Sequence, residues 1–340
     1  MYDYIIFTHI PVFYKVNLYN ELSKNFKIHV VFIANETDEK RSQDFIDKRA
    51  IRFDYTVLSR ESLQSRKILQ NLQAINKIIR AMTYKRIIVG GWDLIEFWYL
   101  VFFNTKKKNC LTLESTILES VTSGIRAYLK KLFLSRIDCV FASGNLHKQL
   151  LMALNYKGEV KITKGVGIIN KPSIDMVTRA PYSKNYLYVG RLSEEKNLIS
   201  LVHIFNDFSK HRLKVIGTGP LEDKLKKVAN ENINFLGQVA NKKLKNFYQK
   251  NDFLILASLQ EPWGLVVEEA LYFGMPVIIS DKCGASELIE NSVNGFVFDS
   301  EKQLREIIER QNETSYSELL DGVGNFSIEL KDKWQVEAYG

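Results

Sequence analysis

Two glutamates, Glu261 and Glu269, stand eight positions apart in the segment EPWGLVVEE and flank Gly264. The segment follows an apolar run at residues 253–258, which predicts a buried strand, and it continues into a helix-like pattern. This spacing places one carboxylate on a loop and the other on the first turns of a helix, so that both can line one pocket. The N–H groups at a helix start and the positive end of its dipole attract an anion. A pocket with an anion at its centre and hydroxyl groups at its edges suits a nucleotide sugar.

The elements around this segment alternate between strands and helices. In the second half, strands are predicted at 186–189, 213–216, 233–236, 253–257 and 276–280, and helices at 197–209, 221–228, 243–249, 266–273 and 302–310. In the first half, strands are predicted at 4–8, 27–33, 86–89, 110–113 and 138–142, and helices at 15–24 and 63–82. Such alternation is typical of parallel βαβ units. We therefore expect two doubly wound α/β domains facing across a cleft, since ligands bind outside the carboxyl ends of parallel strands.

Composition and charge narrow the class of protein. The net charge is +8, but residues 1–180 carry +12 and residues 181–340 carry −4. A basic half suggests an anionic membrane surface or a phosphorylated ligand, while solvated helix faces explain it equally well. No segment resembles a nucleic-acid module with interleaved aromatic residues, so nucleic acid is not an expected partner.

Cysteine usage and hydropathy bear on location. Cys110, Cys139 and Cys283 form neither a disulfide framework nor a metal-ligand pattern, which favours a reducing compartment. The most apolar stretch, residues 87–103, is interrupted by two acidic residues and is a poor membrane span. We expect a cytoplasmic protein.

Three motifs in the second half carry a family resemblance. They are VGRLSEEKN at 189–197, GTGP at 217–220 followed by FLG at 235–237, and EPWGLVVEE at 261–269. In this order and at these separations, within residues 186–299, they resemble the retaining glycosyltransferases of family 4, which have the GT-B fold. The resemblance extends to enzymes that assemble bacterial surface polysaccharides such as O-antigen and capsule.

The resemblance implies roles for four charged residues. Arg191 and Lys196, beyond the carboxyl end of a strand, would hold the donor diphosphate, since a guanidinium offers forked donors and an ammonium a compact charge. Glu261 would accept hydrogen bonds from the donor sugar, and Glu269 from the ribose hydroxyls. Arg191, Lys196 and Glu261 are thus the predicted catalytic set, with surface ion pairing as the alternative for the two cations.

Main-chain groups complete the implied donor site. Gly264, Leu265 and Val266 would present N–H groups to the sugar and phosphate at the start of the helix. Gln238 and Val239 occupy the region where the family's main chain commonly touches the base.

The first half resembles the family less. Its first strand is not followed by a glycine-rich turn, and the mid-domain loop that often carries a histidine has the sequence LEST at 113–116. Glu114 and Asp93 are the candidates for the cleft in this domain. His9 and His147 are expected to be structural or surface residues.

The implied reaction moves a sugar from a UDP- or GDP-sugar to an acceptor with retention at the anomeric carbon. No protein nucleophile, metal ion or other cofactor is required, because the leaving phosphate can take the acceptor proton. The implied acceptor is a glycan or a lipid-diphosphate-linked oligosaccharide. Residues 1–170 would bind the acceptor and residues 171–327 the donor, with a C-terminal helix at 328–340 crossing back to complete the first domain.

The basic first half offers a way to reach a membrane. Residues 126–134 interleave cationic and apolar side chains at helical spacing, and three lysines occupy 106–108 after two phenylalanines. This pattern suits a helix at the inner face of the cell membrane, although an ordinary amphipathic helix packed on a sheet has the same pattern.

Two other functions remain open. A GT-B nucleotide-sugar epimerase would need acid and base groups from the first domain, and its product would not depend on an acceptor. A non-catalytic sugar-nucleotide-binding partner subunit would explain the missing glycine-rich turn.

Overall fold

A computed structural model describes residues 1–38, 45–46, 50–173 and 179–340. The chain divides into two compact units. Unit 1 comprises residues 1–170 and 332–340, and unit 2 comprises residues 171–331.

Unit 1 is built on a seven-stranded parallel sheet with the order β3-β2-β1-β4-β5-β6-β7. The strands are β1 Tyr2–Thr8, β2 Ile28–Glu36, β3 Asp54–Ser62, β4 Tyr84–Val89, β5 Asn109–Leu113, β6 Cys139–Ala142 and β7 Glu159–Ile162. Alternate residues of each central strand enter different cores. Ile5 and Phe7 join one apolar cluster, and Tyr4 and Ile6 join the other. Both faces of the sheet are therefore covered, which explains the continuous apolar runs.

In the described part of unit 1, five helices follow strands. They are α1 Phe13–Asn25, α2 Ile68–Ala81, α3 Ile95–Phe103, α4 Gly124–Leu134 and α5 Asn145–Ala153, with a 3₁₀ turn at Lys106–Lys108. None of the described helices is long and apolar enough to span a bilayer.

The expectation for residues 63–82 was wrong at its start. The helix begins only at Ile68, because β3 continues to Ser62 and the N–H of Leu63 donates to Glu36 O at 2.8 Å. The sequence did not predict β3, because its burial does not alternate and its two buried residues, Ser59 and Ser62, are polar.

Unit 2 contains a six-stranded parallel sheet with the order β10-β9-β8-β11-β12-β13. Its strands are β8 Asn185–Val189, β9 Arg212–Ile216, β10 Ile233–Gly237, β11 Phe253–Leu256, β12 Val277–Ser280 and β13 Gly295–Phe298. Its helices are α6 Leu198–Asp207, α7 Glu222–Val228, α8 Asn241–Lys250, α9 Leu265–Tyr272, α10 Glu301–Arg310 and α11 Glu313–Gly324. The order reverses at β8 and β11, which places a topological switch point at the carboxyl ends of these two strands.

The last helix, α12 Ile328–Glu337, starts in unit 2 and ends in unit 1. Tyr339 stacks on Phe141 with ring centroids 4.3 Å apart, and its carbonyl accepts a hydrogen bond from the hydroxyl of Tyr4. Lys161 Nζ donates to Gly340 O at 2.6 Å. The end of the chain is thus part of the core of unit 1.

Candidate functional site

Lys196 lies in the loop between β8 and α6, at the carboxyl end of a central strand. The loop closes with a 3₁₀ turn at Glu194–Lys196, and Asn197, with a φ of 54°, leads into α6. The ammonium Nζ of Lys196 lies 2.6 Å from Glu261 Oε2, and the two side chains are only 14% and 19% exposed. The structure therefore joins two predicted site residues from different loops.

Arg191 belongs to the same loop and is exposed. The hydroxyl of Tyr188 donates to Arg191 O at 2.8 Å, which holds this backbone against the end of β8. Partial burial raises the pKa of Glu195. A hydrogen bond from Ser193 and the charges of Lys196 and Arg191 lower it by more, so the pKa lies below its usual value. The two predicted cations therefore both act on Glu195 at this end of the sheet.

The backbone of Glu261 is held on both sides. Its N–H donates to Lys282 O at 3.1 Å, and its carbonyl accepts from the N–H of Gly284 at 2.9 Å. The N–H of Leu259 donates to Glu195 O at 2.8 Å, which ties this loop to the loop of Lys196. The carboxylate of Glu261 is therefore positioned by a fixed main chain.

Gly264 is the N-cap of α9 and has a φ of 101°. An added Cβ would meet Glu261 Cγ at 3.4 Å, an ordinary contact, so the backbone angle rather than lack of space within the chain favours glycine here. Leu265 and Val266 follow in the first turn, where helix geometry leaves N–H groups without intrahelical acceptors. The predicted anion-binding groups thus stand next to Glu261.

Glu269 lies one turn further along α9. The hydroxyl of Tyr248, on α8, donates to Glu269 Oε2 at 2.6 Å. Burial, together with the nearby charge of Glu269, raises the pKa of Tyr248 well above its usual value, so the phenol stays a donor. Tyr248 orients the carboxylate, and sequence reasoning missed it because only tertiary packing brings α8 to α9.

A buried cluster of three side chains is centred on Glu268 of α9. Glu268 accepts hydrogen bonds from Trp263 Nε1 at 2.6 Å and from Lys331 Nζ at 2.7 Å, and the carboxylate is fully buried. Through Glu268, the cluster links Trp263 to α9 and to the start of α12. Sequence reasoning missed it, although a glutamate between the apolar residues Val267 and Ala270 signals a buried partner.

Gln238 and Val239 follow β10 at the same edge of the sheet. The N–H of Gly217 donates to Gly237 O at 2.8 Å, and a Cβ on Gly217 would come 1.8 Å from Gly190 O. The loops after β8, β9 and β10 therefore lie side by side. One strand, β9, separates Gln238 and Val239 from the loop of Arg191.

Asp93 and Glu114 line a separate cavity of about 260 Å³ within unit 1. Asp93 Oδ2 lies 2.9 Å from His9 Nε2, and Glu114 pairs with Lys15, whose side chain is almost completely buried. His9 follows β1 and Lys15 lies in α1, so four charged or titratable groups meet at the carboxyl ends of β1, β4 and β5. Sequence reasoning named the two acids and missed their partners.

Burial disfavours the charged forms of Lys15 and Asp93, but their ion-pair and hydrogen-bond partners stabilise those forms by more. Desolvation lowers the pKa of Lys15, and the nearby Glu114 raises it by more, so the ammonium stays charged. Burial raises the pKa of Asp93, but its interactions with His9 and other neighbours lower the pKa by more, so it lies below its usual value. The cavity therefore offers two carboxylates, an ammonium and an imidazole, which are groups that can hydrogen-bond to the hydroxyl groups of a sugar.

Across residues 1–38, 45–46, 50–173 and 179–340, no group of three or more His, Cys, Asp or Glu residues is arranged to hold a metal ion.

Comparison with known proteins gives a family match for most of unit 2. Residues 177–317 match the family described as Glycosyl transferases group 1. A chain from Klebsiella pneumoniae described as an uncharacterized 41.2 kDa protein in the cps region is 26% identical over 51% of this chain and 51% of its own length. The O-antigen biosynthesis glycosyltransferase WbnH of Escherichia coli is 26% identical over 62% of this chain and 72% of its own length. The chain thus spans about half the length of the first relative.

Solved structures match nearly the whole chain. Sucrose-phosphate synthase from Thermosynechococcus elongatus has a TM-score of 0.71 at 17% identity, covering 97% of this chain and 96% of that one. The lipopolysaccharide outer core galactosyltransferase WaaB has a TM-score of 0.70 at 16% identity, covering 98% of each chain. HepE from Anabaena, solved with UDP and glucose, has a TM-score of 0.68 at 14% identity, covering 97% of each chain. These likenesses establish the fold as GT-B, with two parallel-sheet α/β units, and confirm the fold class predicted from the sequence.

Proposed function

We propose that this chain, in which residues 177–317 form a glycosyl transferases group 1 domain, is a retaining glycosyltransferase of the family 4 type. It would move a sugar from a nucleotide-diphosphate sugar to a glycan or a lipid-linked oligosaccharide in bacterial surface-polysaccharide synthesis. The observation that carries the proposal is the Lys196–Glu261 pair, at 2.6 Å, beside the start of α9. It sets a cation, a hydroxyl acceptor and helix N–H groups together at a topological switch point.

The donor would bind by its charge and its hydroxyl groups. Lys196 has three N–H donors, so it can contact Glu261 and a phosphate oxygen together. Arg191 and the N–H groups at the start of α9 would share the remaining phosphate charge. Glu261 would accept from the sugar and Glu269, oriented by Tyr248, from the ribose. The relative HepE was solved with UDP, which agrees with a UDP- or GDP-sugar donor.

In the proposed reaction, the acceptor oxygen bonds to the anomeric carbon on the face from which the donor phosphate leaves. The electron pair of the broken carbon–oxygen bond departs with the diphosphate, which takes the proton of the acceptor hydroxyl. Arg191, Lys196 and the start of α9 stabilise the growing negative charge. We infer that these groups suffice without a metal ion, and that Glu261 orients the donor rather than acting as a base.

The acceptor would bind in unit 1. Its cavity, with Asp93 and Glu114 held by His9 and Lys15, offers paired acceptors and donors for sugar hydroxyls. The relatives from Klebsiella pneumoniae and Escherichia coli carry names that refer to a cps region and to O-antigen biosynthesis. These names support a role in surface-polysaccharide assembly. The cytoplasmic location and the lipid-diphosphate-linked acceptor are part of the proposal.

The first test is a thermal-shift screen against UDP-, GDP- and dTDP-sugars, followed by product analysis with the stabilising donor. We expect one nucleotide class to raise the melting temperature, and a product with the donor's anomeric configuration that forms only when an acceptor is added. Inversion would contradict the retaining mechanism. A product that forms without an acceptor would indicate an epimerase, and no transfer with any acceptor despite donor binding would indicate a partner subunit.

A further inference from the structure

An apolar stripe on α4 faces solvent. Its residues lie at spacings of three and four, which place them on one face of the helix. They are Ile125, Tyr128, Leu129 and Leu132, with exposed fractions of 77%, 64%, 45% and 38%. The opposite side of α4 is packed in the unit 1 core through Ala127, Phe133 and Leu134. The helix therefore has two apolar faces, and unit 1 covers only one of them.

Segments next to α4 also carry exposed apolar residues. Trp98 of α3 contacts Phe133 of α4 with ring centroids 5.0 Å apart, so the two helices are neighbours. At the end of α3, Phe103 is 79% exposed. In the chain that leads to α4, Leu118 and Val121 are also exposed. We call the surface formed by the four α4 residues with Phe103, Leu118 and Val121 the α4 face.

Basic residues lie on α4 and in the turn that follows α3. Arg126, Lys130 and Lys131 lie on α4, which has no acidic residue between Gly124 and Leu134. The turn Lys106–Lys108, exposed throughout, follows Phe103. Glu119 is the only acidic residue between positions 115 and 136. Arg126 and Lys131 are exposed and flank the apolar stripe at helical spacing, while Lys130 Nζ lies 5.3 Å from the centroid of the Trp92 ring.

We propose that the α4 face docks onto an anionic lipid bilayer. A helix with an exposed apolar face and cationic flanks binds in the plane of a membrane interface, where apolar side chains enter the acyl boundary and lysines meet lipid phosphates. Tyr128 fits this position, because an aromatic ring with a polar end prefers the headgroup level.

The charge pattern selects lipid over a second copy of the chain. A two-fold dimer through this face would bring Arg126, Lys130 and Lys131 of one copy against the same residues of the other. Like charges at an interface are repulsive, whereas anionic lipids neutralise them. The lipid surface is therefore the occupant that satisfies both the apolar stripe and its borders.

Docking would also place the acceptor, and this step rests on the proposed function. Glu114 lies at the carboxyl end of β5, and the chain passes from it through Leu118 and Val121 into α4. The α4 face thus begins at the sheet edge that carries the Asp93–Glu114 cavity. A sugar on a lipid diphosphate held in the bilayer would meet the protein at that edge.

The test is flotation of the full chain with vesicles of phosphatidylcholine alone and with 30% phosphatidylglycerol, at low and at physiological salt. The apolar variant is Ile125→Ser with Leu129→Ser, and its control is Leu69→Ser on α2, a position that is also 77% exposed. The basic variant is Arg126→Ser with Lys131→Ser, and its control is Lys77→Ser, which is exposed on α2. Donor binding in solution is measured on each variant, so that failure of docking and failure of the donor site can be told apart.

We expect the wild type to float with anionic vesicles and not with neutral ones. The apolar variant should bind at least about tenfold more weakly, and the basic variant about tenfold or more at low salt, because each cation near the surface contributes about fivefold. Both controls should bind like the wild type, and donor affinity should not change. The proposal is overturned by no flotation at low salt, by equal losses in the controls, or by a concentration-dependent dimer that the apolar variant dissociates.

Discussion

Two lysine–glutamate pairs stand on either side of Trp263 and Gly264, and they differ in their access to solvent rather than in their contact. Lys196 and Glu261 are 2.6 Å apart with 14% and 19% of their side chains exposed. Lys331 and Glu268 are 2.7 Å apart and almost completely sealed, at 2% and 0%. The half-open pair lies at the carboxyl edge of the sheet, while the sealed pair joins α9 to the start of α12.

This difference in solvent access predicts different roles for the two lysine–glutamate pairs. A sealed pair has lost its hydration, so removing one partner leaves an uncompensated buried charge. The Lys196–Glu261 pair is less completely buried and keeps water or a ligand as an alternative partner, so removing one member costs less stability than it does in the sealed pair. We therefore expect sealed groups to govern folding and half-open groups to govern donor binding.

The largest effect is expected in the sealed pair. Lys331→Ala should lower the free energy of unfolding by about 3–5 kcal/mol, because Glu268 is left buried and unpaired. Urea titration followed by circular dichroism measures it. Lys333→Ala is the control, since Lys333 is 70% exposed and lies 3.8 Å from Glu337. A loss below about 1 kcal/mol for Lys331→Ala would break the comparison.

Glu269→Gln tests the half-open side. The amide oxygen can still accept from Tyr248, so the fold should hold, but the loss of the charge should weaken donor binding about tenfold. Isothermal calorimetry with the donor from the screen measures the affinity. Glu301→Gln, on α10 and paired with Arg305 at 2.9 Å, is the control. Equal affinities of Glu269→Gln and wild type would remove Glu269 from the donor site.

A pH series sharpens the comparison with another sealed group, His147 on α5. Burial lowers the pKa of His147 to about 4 from 6.5. Between these two pKa values the ring is protonated in the unfolded chain and neutral in the folded chain. The free energy of unfolding therefore decreases as the pH falls from 6.5 towards 4. This loss amounts to about 2 kcal/mol at pH 5. His147→Gln should reduce the change in unfolding free energy between pH 7 and pH 5, and an unchanged pH profile would contradict the sealed state of the ring.

The smallest effect is expected from Tyr248→Phe. The substitution removes the donor at 2.6 Å from Glu269 Oε2 and keeps the ring packed against Phe273. Donor affinity should fall about fivefold, because a less oriented carboxylate binds the ribose more weakly. Calorimetry under the conditions used for Glu269→Gln measures it. In the Glu269→Gln background the same substitution should cost less, and full additivity would show that the two residues act separately.

Local pattern was enough to predict much of unit 2. Helix 197–209 and strand 253–257 match α6 Leu198–Asp207 and β11 Phe253–Leu256 within two residues, because strong apolar periodicity marks elements that are buried in a parallel sheet. The pairing of Lys196 with Glu261 was also within reach, since the carboxyl ends of neighbouring strands meet at one edge.

Contacts that depend on tertiary packing were beyond the sequence. Lys15 lies in an amphipathic helix, and nothing in its neighbours indicates that its ammonium turns towards Glu114. Lys331 meets Glu268 across a sequence separation of 63 positions, which no local pattern indicates. The apolar stripe on α4 has the spacing of an ordinary core-facing helix, and only the structure places it towards solvent.

The central claim is that unit 2 holds the donor diphosphate through Lys196. The direct measurement is calorimetric titration of the donor, and of its nucleoside diphosphate, into Lys196→Ala and into Lys226→Ala. Lys226 is a matched control because it pairs with Glu222 at the same distance, 2.6 Å, away from the site. We predict that Lys196→Ala loses at least about tenfold in affinity for both ligands and loses less free energy of unfolding than Lys331→Ala, and that Lys226→Ala leaves both affinities unchanged. Equal affinities of Lys196→Ala and Lys226→Ala for the nucleoside diphosphate would contradict the account.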